Sequence, residues 1–310
     1  MNSILSKPIL PGILGKARAF EELLARMSQL KKPDPFLNVR VHDLSLQPGL
    51  TGLCVGYERE EWRASQFAQH ILEWIPEFAL KHSELADINS GNAMQLIRNA
   101  AKRVYESGKF EKRGEFGELF LHAALRQVFN TLPAISKIFY KTARNETVKG
   151  FDAVHVVGPP DNLQLWLGEA KFYSDIDQAV NEVVSELKKH TETNYLRDEF
   201  LLIKGKIDPS WPHAAVLQEL LSENRSLDEI FTKACIAVLL TYDSICLTQH
   251  VKCDAEYAAA FETEIRQHHA TFTGKDLPKE VEIHLFLLPL NTKKKLLECL
   301  DEKLKSWQKI

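Results

Sequence analysis

The pattern of apolar and polar positions is most regular between Gly150 and Lys171, which reads GFDAVHVVGPPDNLQLWLGEAK. A β-branched run, Ala153 to Val157, and an alternating run, Leu163 to Lys171, flank Gly158-Pro159-Pro160-Asp161-Asn162, a dense group of turn formers. Two extended runs joined in this way predict a β-hairpin. Folding about Pro160 brings Asp152 beside Gly168 and Glu169. Strand alternation sends Glu169 and Lys171 to one face and Ala170 to the other.

The rest of the pattern arranges helices and strands around that hairpin. A short helix is expected over Lys16 to Leu30, then strands over Phe36 to Leu46 and Leu53 to Tyr57, separated by a Pro48-Gly49 turn. Glu58 to Lys81 reads as one long helix with an aromatic core stripe, kinked at Pro76, and Asn92 to Glu106 as another. A helix opens at Arg113-Gly114-Glu115 and runs to about Asn130. Phe116, Leu119, Phe120, Ala123 and Ala124 form its buried face, and Glu115, Glu118 and His122 form a stripe beside it. A strand over Ser136 to Lys141 leads to the hairpin. Behind it, Ser174 caps a helix whose apolar face is Val180, Val183, Val184 and Leu187, ending at Lys188-Lys189-His190. Strands over Cys235 to Tyr242 and Val281 to Leu288 follow, among helices around Ala214 to Ser222, Ser226 to Lys233, Asp254 to His269 and Thr292 to Gln308. The order predicts an α/β fold with an accessory α+β region over residues 1–90 and a site-bearing domain over 91–310.

Composition narrows the class. The chain has 310 residues, 45% hydrophobic and 26% charged, the balance of an ordinary globular protein. No apolar run approaches the ~20 residues that cross a bilayer, and the amino terminus reads as mature chain without a signal sequence. Five cysteines, an odd number without CxxC spacing, argue against a disulfide framework or a zinc site and suit a reducing cytoplasm. The net charge of −3 excludes a global basic field. Locally, Asn99 to Lys149 carries ten Lys/Arg against five Asp/Glu, an excess beside the hairpin.

The hairpin's chemistry follows from its residue types. Two carboxylates, Asp152 and Glu169, suit a hard divalent cation that prefers oxygen ligands, and Lys171 beside them can orient a water or steady charge developing on a phosphate. Acids in a first helical turn commonly serve the helix dipole, yet Glu115 or Glu118 can also supply a third acidic group.

A helix-borne glutamate, GFD on one strand and Glu-x-Lys on the next, with a helix behind, resembles the PD-(D/E)xK nuclease superfamily. The segments RGEFGELFLH, KGFDAVHV and LGEAKFY resemble, within it, the HamA family, the nuclease subunits of Hachiman anti-phage systems. The resemblance covers roughly residues 110–190. It implies a restriction-endonuclease-like core of helix, three-stranded hairpin sheet, helix and further strand. It also implies Mg²⁺-dependent DNA cleavage with Mn²⁺ as a substitute, and a helicase partner, HamB. Asp152 and Glu169, with the Ala170 carbonyl, would hold the metal; Lys171 would act on the water or the phosphate. Glu118 or Glu115 would take the helical acid's place. Phe151 stands where the motif's proline would be. Lys112, Arg113, Lys149 and Lys188 would meet the DNA backbone with little sequence preference. The alternatives are a catalytically silent DNA- or protein-binding module on the same fold, and an RNase using the same metal site.

Overall fold

The computed structural model describes residues 32–104, 114–136 and 150–310. They build a seven-stranded mixed sheet with helices against it. β1 (Asn38–Asp43) and β2 (Gly49–Cys54) are antiparallel neighbours. A small separate hairpin follows, β3 (Tyr57–Glu58) and β4 (Glu61–Trp62), with Arg59 and Glu60 turning at φ 49° and 66°. That hairpin shortens the long helix expected from Glu58. Helix α1 (Ala64–Glu73) begins beyond it, and the chain breaks at Trp74 before α2 (Ile75–Ala79), where Pro76 lacks an N–H to continue the ladder. α3 (His82–Ala86) and α4 (Ala93–Val104) complete this part.

The expected order of helix, strands and helix follows. α5 (Glu115–Val128) leads to β5 (Leu132–Ser136), β6 (Ala153–Val157) and β7 (Gln164–Phe172), three antiparallel strands, with one turn of 3-10 helix at Pro160–Asn162 closing the hairpin. β5 precedes the strand expected over Ser136 to Lys141, whose remainder lies outside the described residues, as does the helix expected over Lys16 to Leu30. α6 (Ile176–His190) is capped one residue later than expected, by the Asp175 carboxylate, which accepts the Gln178 N–H at 2.7 Å. α7 (Thr193–Lys206) was not expected at all. Then come α8 (Ala214–Leu220), α9 (Leu227–Phe231), β8 (Ala234–Asp243), α10 (Ile245–Gln249), α11 (Ala255–Thr273), β9 (Glu282–Leu290) and α12 (Lys293–Trp307).

The sheet order is β1-β2-β9-β8-β7-β6-β5. β8 runs parallel to both β7 and β9, and β2 runs parallel to β9. β8 is buried at every position but its last, as a central parallel strand covered on both faces must be. Asp34–Ile310 form one compact unit, so the described part of the expected accessory region contributes β1 and β2 to the same sheet. The core runs continuously along it, from Leu50 through Leu285, Leu239 and Leu167 to Val154, all at most 1% exposed.

Candidate functional site

The site forms where β6 parts from β7. Their register ends at Ala153 opposite Gly168, followed by the Asp152 N–H donating to the Gly168 carbonyl at 2.8 Å. On its other side β7 stays paired with β8 as far as Phe172 opposite Thr241. Alternate residues of a strand turn their N–H and C=O to opposite neighbours. Gly168 faces β6, so Ala170 does too, beyond the point where β6 leaves the ladder. Its N–H is taken by Asp152 Oδ2 at 2.8 Å. A side chain thus replaces a ladder bond that a buried backbone needs, and the Ala170 carbonyl lies along the same edge.

Glu169 and Lys171 project from the face that α6 covers. Glu169 is 1% exposed, with Oε1 2.6 Å from Nδ1 of His190. Lys171 Nζ lies 2.5 Å from Oε2 of Glu186. The two contacts match because the spacings match. Residues two apart on a strand are separated by about 6.6 Å, and residues four apart on a helix by about 6 Å along the axis. The chain returns over β7 in α6, placing Glu186 over Lys171 and His190 over Glu169. His190 is stacked on Tyr195 (ring centroids 4.6 Å apart, planes at 13°) and meets the Phe151 ring edge-on at 5.1 Å. Glu199 of α7 accepts the Phe151 N–H at 3.3 Å. Gly150 precedes it at φ 132°, and a Cβ there would stand 2.5 Å from Glu199 Oε1; only glycine fits. Sequence reasoning missed Glu186, His190, Tyr195 and Glu199. The first two were readable from spacing, since Glu186-x-x-x-His190 mirrors Glu169-x-Lys171.

α5 covers the opposite face of β7. A Cβ on Gly117 would lie 3.1 Å from the Phe172 Cβ and 3.6 Å from that of Ala170, so this glycine lets the helix backbone settle onto the strand. On α5, Glu115 is half-buried and Glu118 buried. His122 serves a different purpose from the expected acidic stripe. Its Nε2 is 3.0 Å from Glu77 Oε2 of α2, and Arg126 grips the same carboxylate at 2.8 and 2.9 Å. Burial alone would raise the Glu77 carboxyl, but His122 and Arg126 outweigh it and hold the group at about 2. Burial lowers His122 against the pull of Glu77, and the Arg126 fork supplies the permanent positive charge on that carboxylate.

The cations expected to meet nucleic acid divide. Lys188 is exposed and paired with Asp276 at 2.8 Å; Lys112, Arg113 and Lys149 lie outside the described residues. Lys293, at the start of α12, stands over the Phe172 and Tyr173 rings at 4.8 and 5.5 Å, and burial pulls its pKa down. Tyr173 is pushed up to about 12 by burial and by its 2.5 Å hydrogen bond to Glu182, so it remains a donor there.

The oxygen donors Asp152, Glu169 and the Ala170 carbonyl match the chemistry of a hard divalent cation. Among the described residues no group of three or more His, Cys, Asp or Glu side chains is arranged to hold an ion. The five cysteines are free thiols, and no helix among the described residues is long and apolar enough to cross a membrane.

Fold and site together define a mixed α/β protein in which buried Asp152 takes the Ala170 N–H at the diverging end of a hairpin, with Glu169 and Lys171 on either side of Ala170 along β7. The HamA family model matches residues 33–304, and the chain belongs to the HamA family. It is 24% identical over 263 residues to Anti-bacteriophage protein A of Escherichia coli (strain K12), an alignment covering 80% of this chain and 46% of that protein. The chain thus spans less than half the length of that relative.

Proposed function

We propose that the chain is a metal-dependent DNA nuclease of the PD-(D/E)xK type acting in anti-phage defence. The reading is supported by the Asp152–Ala170 hydrogen bond just beyond the end of the β6–β7 register, with Glu169 and Lys171 two residues apart on the same strand. The element order of α5, three antiparallel strands, α6 and the parallel β8 agrees with the restriction-endonuclease-like core. The defence role is supported by HamA membership and by the relative's name.

Asp152, Glu169 and the Ala170 carbonyl would hold Mg²⁺ or Mn²⁺, with Glu118 or Glu115 contributing from α5. When bound, such an ion supplies positive charge that polarises a phosphate and activates water. Lys171 donates to the phosphate oxygen on which charge develops. Lys293 adds a cation at the same end of β7, and contacts of this kind hold the backbone without reading sequence. The helicase subunit HamB is the partner, and the cytoplasm the compartment, that this reading implies.

The Lys171–Glu186 pair also favours a second reading, a subunit held silent until a partner releases the lysine. Supercoiled, linear and single-stranded DNA, with RNA in parallel, is incubated with the purified chain in Mg²⁺ or EDTA. Cleavage of DNA in Mg²⁺ only is expected. Lys171→Ala should lower it at least ~100-fold with little change in melting, because partly exposed ion pairs contribute only ~0–1 kcal/mol. Undiminished cutting by Lys171→Ala removes the mechanism; cutting only in a complex supports the gated reading; preference for RNA replaces the substrate.

A further inference from the structure

We infer that α6 is the positioning element of this site, with His190 fixing the Glu169 carboxylate toward the cation and Glu186 fixing the Lys171 ammonium. The inference rests on the nuclease reading above.

A carboxylate only accepts hydrogen bonds, so the 2.6 Å contact has His190 Nδ1–H donating to Glu169 Oε1. Both side chains are buried, at 7% and 1% exposure. The imidazole is itself fixed by the Tyr195 face and the Phe151 edge. Phe151 adjoins Asp152, and Glu199 holds its N–H, so one packed group of side chains sets both carboxylates. A glutamate has three rotatable side-chain bonds, and an ion-binding geometry is productive only when they are held. Carboxylates and imidazoles that bind ions are commonly oriented by such outer partners, whose loss weakens binding. Four residues earlier, Glu186 does the same for Lys171, whose flexible stem otherwise samples many rotamers. A core pair with no bearing on the ion would need neither the matched spacing nor two contacts aimed at the two motif residues.

The test compares His190→Asn, whose amide donor falls where Nδ1 was, with His190→Gln, which fills similar space but carries its donor where Nε2 was. Mn²⁺ binding to the full chain is measured by calorimetry, and melting is measured without metal. His190→Gln and His190→Ala should weaken Mn²⁺ binding ~10–100-fold, with His190→Asn within about threefold of wild type. Glu186→Gln should leave Mn²⁺ affinity unchanged and slow turnover at saturating metal, whereas faster turnover would make the pair a restraint on Lys171 and overturn its positioning role. Equal Mn²⁺ affinities for His190→Asn, His190→Gln and wild type, with only melting altered, would reduce the contact to packing and overturn the inference. The nuclease reading fails separately: wild type that binds Mn²⁺ with the predicted His190 dependence yet cuts no nucleic acid, alone or with its partner, keeps the positioning role and loses the activity. Wild type that binds no Mn²⁺ overturns both.

Discussion

Replacing His70 by glutamine tests whether buried neutral imidazoles set the acid stability of this fold. His70 is 5% exposed on α1, stacked on Phe36 at 5.2 Å, and its Nε2 accepts the Trp74 indole N–H at 3.1 Å. Indole nitrogen only donates, so a proton on Nε2 would set two N–H groups against each other. Burial brings the His70 pKa down to about 4. A folded-state pKa below the unfolded value of about 6.5 means that the unfolded chain takes the proton first as pH falls. The stabilisation is complete above pH 6.5 and lost progressively toward pH 4. The loss is about 2 kcal/mol near pH 5 and about 3 kcal/mol below pH 4, a large share of the ~5–15 kcal/mol typical of a folded protein. Glutamine Oε1 can accept the indole N–H but takes no proton. His70→Gln should therefore be slightly less stable near pH 7 and gain about 2 kcal/mol on wild type by pH 5. Urea unfolding followed by tryptophan fluorescence at both pH values reads this difference. Parallel stability curves, with the gap shifting by less than ~0.5 kcal/mol, would refute the reasoning. His284, lowered to about 4 by burial and then by His42 and His269, still titrates in both proteins and cancels in the comparison.

Three further substitutions probe the framework. Gly150→Ala forces a side chain into a φ of 132° and against Glu199, and should cost at least about 2 kcal/mol in urea unfolding. Arg126→Met breaks the fork on Glu77, whose side chain is 25% exposed; a loss of about 3 kcal/mol is expected near pH 7, the low end for a broken buried pair, shrinking as pH falls toward 2 and Glu77 protonates. Asp175→Ala removes the α6 cap and should lower stability by about 1 kcal/mol, and hydrogen exchange should show faster opening of the first turn of α6.

What could be read from the chain was local. The hairpin was readable because its turn formers and its alternation lie within some twenty contiguous residues, and β7 ends one residue from where the pattern placed it. The helix expected to open at Arg113-Gly114-Glu115 starts at Glu115, and the one expected over Thr292 to Gln308 has those two residues as its caps. The errors were also local rules overridden from afar. Glu58 to Lys81 has helical periodicity, yet two left-handed residues and Pro76 divide it. Thr193 to Lys206 carries a helical stripe, buried Leu196, Phe200 and Ile203, but the solvent-facing Leu201 and Leu202 beside it blur the period. His190 was only the last residue of an expected helix; its contact with Glu169 spans 21 positions. The Glu77–His122–Arg126 group joins residues 45 and 49 apart, beyond the reach of any periodicity.

The position of Asp152 explains why a structural and a chemical account of this site coincide. β7 is shared between an antiparallel half, β5-β6-β7, and a parallel half, β7-β8-β9. Its carboxyl-terminal residues keep β8 and lose β6, leaving one edge that needs an acceptor, which Asp152 supplies. An aspartate there closes a backbone ladder whether or not an ion is present, and losing that acceptor costs about 1–3 kcal/mol where water cannot replace it. Loss of cleavage in Asp152→Ala therefore does not separate folding from chemistry. Asp152→Asn does: its amide oxygen still accepts the Ala170 N–H while the charge that draws a cation is gone. If the site is chemical, the Asn variant keeps its melting temperature and loses metal binding. If the aspartate serves only the ladder, the Asn variant behaves as wild type in both.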